Sequence, residues 1–428
     1  MLLVGPPGGG KTELLNTISR LPDTYPAATI TEAALLSGVP RKEHGKDAKG
    51  GLLREIGEYG VIVAKDFGSV LSMNRDARAA LLAALREIYD GSWTRYVGAE
   101  GGRMLHWEGK VGFVGGVTPI IDRHHSVMGA MGERFIFYRL PEVDANQQAV
   151  HALSHAGHEK QMRSELAYAT AGLIADAQQP PQLTSEETER LVRMSTLVVR
   201  ARSAIERDGY SRDIELVPEP EAPTRIIVVL KRLLDGLGAV GLDRDIGWKV
   251  ISKAALDSVP AIRVDCLRTL HAHNGGEELD TNDIAGQIRY PATTTRRALE
   301  DLTAHGLVHC TPDPGKAHRW RLNPFTSQGL QSFPEMYGYR RESDGSRLSE
   351  QGLEPTNQAD LSSFPVPYTY MSVGVVKDSS YHFGKAPSNG INKGIEPPSE
   401  QVDDPFLDSE PQTDPEPALT TSEDIDFT

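Results

Sequence analysis

The first fifteen residues decide the fold of the chain's N-terminal part: Met1-Leu2-Leu3-Val4-Gly5-Pro6-Pro7-Gly8-Gly9-Gly10-Lys11-Thr12-Glu13-Leu14-Leu15. Residues 5–12 match the pattern G-x-x-x-x-G-K-[ST], with an apolar run before them and a helix-forming run after them. Glycines let successive backbone N–H groups turn toward phosphate oxygens, and the N-terminus of the following helix adds its positive end. The alternative is a glycine-rich turn that contains Lys-Thr by chance, but the apolar and helix-forming flanks favour a phosphate-binding loop.

The pattern assigns a role to each part of this loop. Lys11 is expected to reach the β- and γ-phosphates of a nucleotide, and the Thr12 hydroxyl is expected to bind Mg²⁺. The predicted nucleotide-binding residues are Gly5, Pro6, Pro7, Gly8, Gly9, Gly10, Lys11, Thr12 and Glu13.

Length and composition restrict the class of protein. A chain of 428 residues with 39% hydrophobic residues can build several domains with sizeable cores. Its two cysteines, Cys266 and Cys310, exclude a disulfide framework and a four-cysteine zinc site. Neither a signal peptide nor an apolar run long enough to cross a bilayer is recognisable, so we expect a cytoplasmic protein without a membrane partner.

The formal net charge of −14 is concentrated in the C-terminal part. Residues 326–428 contain 6 Lys/Arg and 18 Asp/Glu, whereas residues 1–325 are nearly neutral. This acidic segment is rich in Ser, Pro and Gly, so we predict a disordered tail. Its tip places Ile425 and Phe427 among acids, which resembles the partner-recruiting tips of single-strand binding proteins. A merely solvated tail is the alternative.

The first 140 residues alternate short apolar runs with helical stretches, which is typical of a mostly parallel sheet covered on both faces. The run 61–64 predicts a buried strand, and Lys65-Asp66-Phe67 follows it. A phosphate-loop ATPase needs a carboxylate at such a strand end to hold Mg²⁺, so Asp66 is the candidate metal residue. The alternative is an aspartate that only caps the strand.

Further strands follow an amphipathic helix over residues 75–89. Residues 93–97 and 103–107 flank a glycine-containing turn, which predicts a β-hairpin. Residues 111–117 predict another buried strand that stops at Thr118-Pro119, and Arg134 leads into the last strand, residues 135–138.

This order of parts resembles the AAA+ ATPases that carry a hairpin before the first sensor strand, a group that includes the Holliday-junction branch-migration motors, MCM helicases and MoxR-like ATPases. The resemblance covers residues 1–255. It implies an α/β P-loop NTPase core that uses ATP and Mg²⁺, in which Lys11, Asp66, Thr118 and Arg134 are catalytic. Thr118 would be the polar sensor residue. Arg134 would be an arginine finger offered to a neighbouring copy, which implies a homo-oligomeric ring; the alternative for Arg134 is a surface ion pair with Glu133 or another acid.

Arg225 opens an apolar helix and resembles the second sensor arginine of the lid, with Arg200 and Arg207 as competitors for that role. The sequence departs from the family pattern at the end of the strand over residues 61–64. The family usually has Asp-Glu there, whereas this chain has the single carboxylate Asp66, followed by Phe67. Either Asp66 holds the metal and the water-activating group lies elsewhere, or Asp66 takes the role of the glutamate. The family also carries a nucleotide-gripping segment before its first strand, and the given sequence does not show one. A start set downstream of the true one is the favoured expectation, and a truncation and a trimmed domain are the alternatives.

Residues 279–323 predict a second module. A helix over residues 281–288, a second one from residue 292 ended by Gly306, and two strands joined by Pro312-Asp313-Pro314-Gly315-Lys316 resemble a winged-helix domain. In such domains the second helix enters the major groove of DNA. The predicted DNA-binding residues are Thr293, Thr294, Thr295, Arg296, Arg297, Lys316, Arg319 and Arg321. A winged helix that contacts only protein is the alternative.

The resulting domain prediction is an AAA+ core at 1–141, a helical lid at 142–258, a winged helix at 259–325 and an acidic tail at 326–428. These parts together predict a ring-forming, DNA-associated ATPase, a motor or helicase-like factor in DNA replication or recombination, with the hairpin as a contact in the pore. Two alternatives stay open: a nucleotide-switched DNA-binding regulator that hydrolyses little ATP, and a loader or remodeller of proteins that uses the tail as adaptor.

Overall fold

The structure is a computed structural model that describes residues 1–37, 50–98, 102–125, 134–141, 143–273, 277–313, 315 and 317–333. Lys316 of the predicted DNA-binding set lies outside the described residues. So does Glu133, the acid first considered for Arg134. The acidic segment from residue 334 onward, with its tip, lies outside them as well.

The strands occur in three groups along the chain. They are β1 (Leu2–Val4), β2 (Thr24–Ala27), β3 (Tyr59–Ala64), β4 (Ser92–Val97), β5 (Arg103–Glu108), β6 (Lys110–Val117), β7 (Phe137–Arg139), β8 (Glu206–Arg207), β9 (Ile214–Leu216), β10 (Leu279–Asp280), β11 (Val308–Thr311) and β12 (Arg319–Leu322).

The described helices fill the intervals. They are α1 (Lys11–Ile18), α2 (Glu32–Leu35), α3 (Leu52–Ile56), α4 (Gly68–Leu71), α5 (Arg75–Asp90), α6 (Ala145–Ser154), α7 (Glu159–Ala175), α8 (Ser185–Arg202), α9 (Thr224–Ala239), α10 (Arg244–Asp257), α11 (Ala261–Ala272), α12 (Thr281–Ile288), α13 (Ala292–Ala304) and α14 (Pro324–Leu330), with a 3₁₀ turn at Pro119–His124. None of the helices in the described ranges is long and apolar enough to cross a membrane.

A five-stranded parallel sheet forms the N-terminal part, in the order β2-β3-β6-β1-β7. Neighbouring side chains of a strand point to opposite faces, and β1 shows this directly. Leu2 and Val4 pack with the larger core on one face, while Leu3 packs with Val63 and with Leu15 of α1 on the other. Both faces of β1 are buried, as expected for a central strand of an α/β sheet.

The predicted hairpin is confirmed as the antiparallel pair β4 and β5, in register from Ser92 opposite Glu108 to Val97 opposite Arg103. Its inner face is buried at Trp93, Leu105 and Trp107. Its outer face exposes Tyr96 and Met104, which are 77% and 60% exposed.

The open edge of the sheet at β7 is covered by side chains at the C-terminal end of α10. The Ser258 hydroxyl accepts a hydrogen bond from the Phe137 N–H at 2.9 Å, and the Asp257 carboxylate accepts one from the Arg139 N–H at 2.7 Å. The Arg139 guanidinium also forks onto the Asp122 carboxylate at 2.7 and 2.9 Å. Two backbone donors that an edge strand would leave unpaired are satisfied in this way.

The C-terminal helices share one hydrophobic core. Buried residues from α8 through α13 join Trp320, Leu330 and Phe333 in a single cluster. The predicted boundary between residues 258 and 259 therefore does not separate two cores. In this region β10, β12 and β11 form a three-stranded antiparallel sheet beside α11, α12 and α13.

The predicted start of the tail at residue 326 is wrong. Residues 324–330 form α14, and its Thr326 hydroxyl donates to the Leu307 carbonyl at 2.7 Å. Leu330 and Phe333 are fully buried, so the packed body reaches residue 333. The composition did not reveal α14, because a few apolar residues hardly change the average hydrophobicity of a long polar segment.

Candidate nucleotide-binding site

The loop between β1 and α1 has the backbone geometry of an anion cradle. Gly8 and Gly10 have φ values of 75° and 81°, a left-handed conformation that glycine adopts without steric cost. Gly10 is the N-cap of α1 and offers no side chain to the helix's first N–H groups. Those N–H groups have no partner within the helix, so they and the helix dipole are available to an anion.

The loop is joined to the neighbouring strand β6 at its first residue. The Gly5 N–H donates to the Val117 carbonyl at 3.1 Å. Thr118 follows Val117 directly and is partly exposed. Thr118, the predicted sensor residue, therefore directly follows the residue whose carbonyl binds the first residue of the loop.

Lys11 folds back over the loop. Its ammonium donates to the Gly5 carbonyl at 2.8 Å and to the Pro6 carbonyl at 2.7 Å. Burial lowers the pKa of Lys11, while the negative charge of nearby Asp66 opposes this and raises the pKa.

Asp66 is held in a fixed orientation after β3. Its Oδ1 accepts the Gly68 N–H at 2.8 Å, and the Phe67 N–H donates to the Gly116 carbonyl at 2.7 Å. Asp66 therefore caps its own turn, which is the alternative considered for it, and its negative charge also acts on Lys11. Thr12 is exposed, so its hydroxyl is accessible to a metal ion.

Gly116 allows the two halves of the site to approach each other, a role that sequence analysis missed. A Cβ at Gly116 would lie 2.9 Å from the Lys65 carbonyl oxygen and 3.6 Å from the Lys11 Cβ. The first distance is shorter than real Cβ contacts, so a side chain here would push the Asp66 turn away. The available signal was the Gly115-Gly116 pair inside a buried strand, which marks a close approach of backbone.

Helices α6 and α7 also reach the loop, and no sequence pattern pointed to them. The Gln148 side chain of α6 donates to the Gly8 carbonyl at 3.2 Å. Arg163 of α7 donates to Glu13 through Nε at 2.8 Å and Nη2 at 2.7 Å. The hydrogen bond from Arg163 is the main cause that holds the pKa of Glu13 below its usual range.

Arg134 and Arg225 are engaged away from the loop. Arg134 is paired with Asp90 at 2.6 Å, and its side chain is only 8% exposed. The chain thus makes the ion pair considered as an alternative, with Asp90 as the acid. Arg225 pairs with Glu221, and among the described residues its guanidinium bonds to none of the loop.

The predicted DNA-binding residues that the structure describes differ in exposure. Thr293, Thr294, Arg296 and Arg319 are exposed, whereas Arg297 and Arg321 are partly buried. Thr295 is fully buried, and its hydroxyl donates to the Pro291 carbonyl at 3.2 Å. The prediction for Thr295 is wrong because it lies on the apolar stripe of α13 that continues through Ala298, Leu299 and Leu302.

The comparisons with known proteins find similarity among solved structures. No protein-family model and no curated protein matches the sequence. Among solved structures, the RuvB Holliday junction branch migration motor of Thermotoga maritima is similar at 16% identity, over 77% of this chain and 86% of that chain, with a TM-score of 0.20. At this TM-score the two backbones superpose poorly, so nothing is inferred from that protein's activity. The parallel sheet and the glycine-rich loop between β1 and α1 themselves have the architecture of a P-loop nucleotide-binding core.

Proposed function

We propose that this protein binds and hydrolyses ATP with Mg²⁺ as a DNA-associated AAA+ protein that works as a ring of identical copies. The close approach of the turn that carries Asp66 to Lys11 across Gly116, beside the open N-terminus of α1, carries the proposal. The residues present fit the nucleotide and the metal: a cation for phosphates, an exposed Thr12 hydroxyl and an oriented carboxylate. Bound Mg²⁺ would neutralise charge on the phosphates.

The chain's own residues have separable tasks in this proposal. Lys11 exchanges its two loop carbonyls for phosphate oxygens. Thr118 would take the role of the sensor of the terminal phosphate. Arg134 acts as a finger only after it leaves Asp90, so the ring arrangement requires that ion pair to open. A charge supplied by a neighbouring copy would couple hydrolysis to assembly.

A DNA-binding winged helix is the second half of the proposal. The order α11, β10, α12, α13, β11, β12 fits such a module, with α13 as its recognition helix. Exposed Thr293, Thr294 and Arg296 lie at the start of α13, where base and phosphate contacts would occur. Glu278 lies 3.8 Å from Arg319 and 3.7 Å from Arg321, so phosphates would have to replace that carboxylate.

Turnover measurements test the enzymatic part. We expect steady ATP hydrolysis that single-stranded or duplex DNA raises at least about fivefold, and we expect Asp66→Asn to abolish hydrolysis while ATP still binds. Asp76→Asn, which changes an exposed aspartate in the first turn of α5, is the matched control and should hydrolyse normally. A protein that binds neither nucleotide nor DNA would refute the proposal.

A second candidate function follows from the single carboxylate after β3. Phe67 is fully buried where the resemblance leads one to expect a glutamate, so a water-activating residue is missing from that position. A nucleotide-switched DNA-binding regulator would bind ATP and change its DNA affinity without turnover. The same assay separates the two, because the switch gives ATP-dependent DNA binding and no phosphate release.

DNA binding is tested separately at α13. Arg296→Ala combined with Arg297→Ala should weaken binding to duplex DNA about tenfold in fluorescence anisotropy, and should make the dependence of log K on log salt shallower by about 1 to 2. Arg232→Ala, which removes an exposed arginine of α9, is the control and should leave both quantities unchanged. Equal loss in the control would mean that overall charge, and not α13, determines binding.

A further inference from the structure

The first turn of α1 contains a carboxylate whose negative charge reduces the positive potential of the proposed phosphate site. Glu13 is the residue directly after Lys11 and Thr12. An acid in the first turn of a helix is normally favourable, because it interacts with the positive end of the helix dipole. Here that positive end is the proposed phosphate site, so an uncompensated Glu13 would repel the nucleotide that the loop is built to hold.

Arg163 cancels this charge from a distant part of the chain. Its Nε and Nη2 donate to the two oxygens of Glu13 at 2.8 and 2.7 Å, a bidentate arrangement. The two side chains are 46% and 48% exposed, so solvent weakens the interaction without removing it. Lys65 adds a weaker favourable charge near Glu13.

The contact lies where α7 packs against α1, and it adds a charged tie to that packing. None of the residues of α6 is buried, and in α7 only Ala167 is buried. The polar contacts of this pair with the phosphate loop and α1 are Gln148 to Gly8 and Arg163 to Glu13. These polar contacts place charged and polar groups of α6 and α7 beside the loop, in addition to the packing of α7 against α1.

We propose that Arg163 is a positioning residue of the phosphate site that acts by neutralising Glu13, and that nucleotide affinity depends on the docking of α7 through this pair. This inference rests on the proposed nucleotide binding. If Arg163 acts by neutralising Glu13, removal of the Glu13 charge should make Arg163 dispensable. If Arg163 contacted a phosphate directly, it would remain necessary without that charge. By reciprocity, bound nucleotide should hold α7 more firmly against α1.

A double-mutant cycle tests the proposal on the full chain, with dissociation constants for Mg-ATP and Mg-ADP measured with a fluorescent nucleotide. Arg163→Ala should weaken both about five- to tenfold in the unmodified background, whereas the same change made in a Glu13→Gln background should alter them less than about twofold. The loss in Arg163→Ala should shrink at high salt, since the residual repulsion is screened.

Controls keep the outcomes distinct. Arg163→Lys retains the charge and should bind nearly normally, which covers the case in which Arg163→Ala misfolds. Arg193→Ala, from the exposed Arg193 and Glu189 pair of α8, is the matched control and should leave the affinities unchanged. An Arg163→Ala loss that is as large in the Glu13→Gln background, or an unaffected Arg163→Ala, overturns the inference while nucleotide binding stands. An unmodified chain that binds no nucleotide overturns the proposed function and this inference with it.

Discussion

Replacement of Lys11 by alanine will abolish measurable ATP binding, with at least a 100-fold rise in the dissociation constant. The Lys11 ammonium already lies over the loop, held by the carbonyls of Gly5 and Pro6 at 2.8 and 2.7 Å. Those neutral acceptors are weaker partners for an ammonium than phosphate oxygens, so the bound nucleotide gains a charge-assisted interaction. Without Lys11, the nearby negative charge of Asp66 faces the phosphates with less compensation.

Thermal denaturation with and without nucleotide makes this prediction measurable. ATP at about 100 times its dissociation constant should stabilise the unmodified chain by about 2.7 kcal/mol, and this gain should be absent in Lys11→Ala. Without nucleotide the two proteins should unfold alike, because Lys11 contributes little apolar burial. Lys231→Ala, an exposed lysine paired with Asp235 on α9, is the control. Nucleotide stabilisation that survives in Lys11→Ala would show that the loop is not the binding site.

Arg263→Met will destabilise the folded chain by about 3–5 kcal/mol, the cost expected when one partner of a buried ion pair is removed. The Arg263 side chain is only 6% exposed and donates to the carbonyls of Ala201 and Ser203 at 2.9 and 2.7 Å. It also donates to Asp301 at 2.9 Å. Methionine fills similar volume but leaves these three acceptors short of a donor.

Urea unfolding followed by circular dichroism measures this loss, and the exposed pair of Arg193 with Glu189 supplies the comparison. Arg193→Ala should cost no more than about 1 kcal/mol, because solvent-exposed ion pairs contribute little. If Arg263→Met were as mild as Arg193→Ala, the buried network would not be a source of stability. The network reaches α13, since Arg207 also binds Asp301 at 2.6 Å and the Arg297 carbonyl at 3.1 Å.

Local patterns in the sequence predicted the loop, the Asp66 strand and the hairpin. Each of these depends on residues close together in the chain, where glycine spacing and alternating apolar residues leave a direct trace. The Gly115-Gly116 pair was also visible in the sequence. A glycine pair in a strand indicates a close backbone approach but does not identify the segment that approaches.

The contacts missed by sequence analysis join distant residues. Arg163 and Glu13 are separated by 150 positions, and Arg139 and Asp257 by 118. No periodicity links such pairs, because their meeting depends on how helices pack after the local structure has formed. Thr295 was assigned to DNA for a related reason: the polar run 293–295 turns about 100° per residue around α13, so one of its members faces the core.

The side-chain cover over β7 has a mechanical consequence. Two peptide donors of that strand depend on the Asp257 carboxylate and the Ser258 hydroxyl for their acceptors. If α10 moves away from β7, water or another extended segment must therefore accept hydrogen bonds from those two donors. An incoming strand could pair with β7 only while the donors are uncovered. The contact between β7 and α10 therefore resists small displacements and opens only when the movement is large enough for water to reach the two donors.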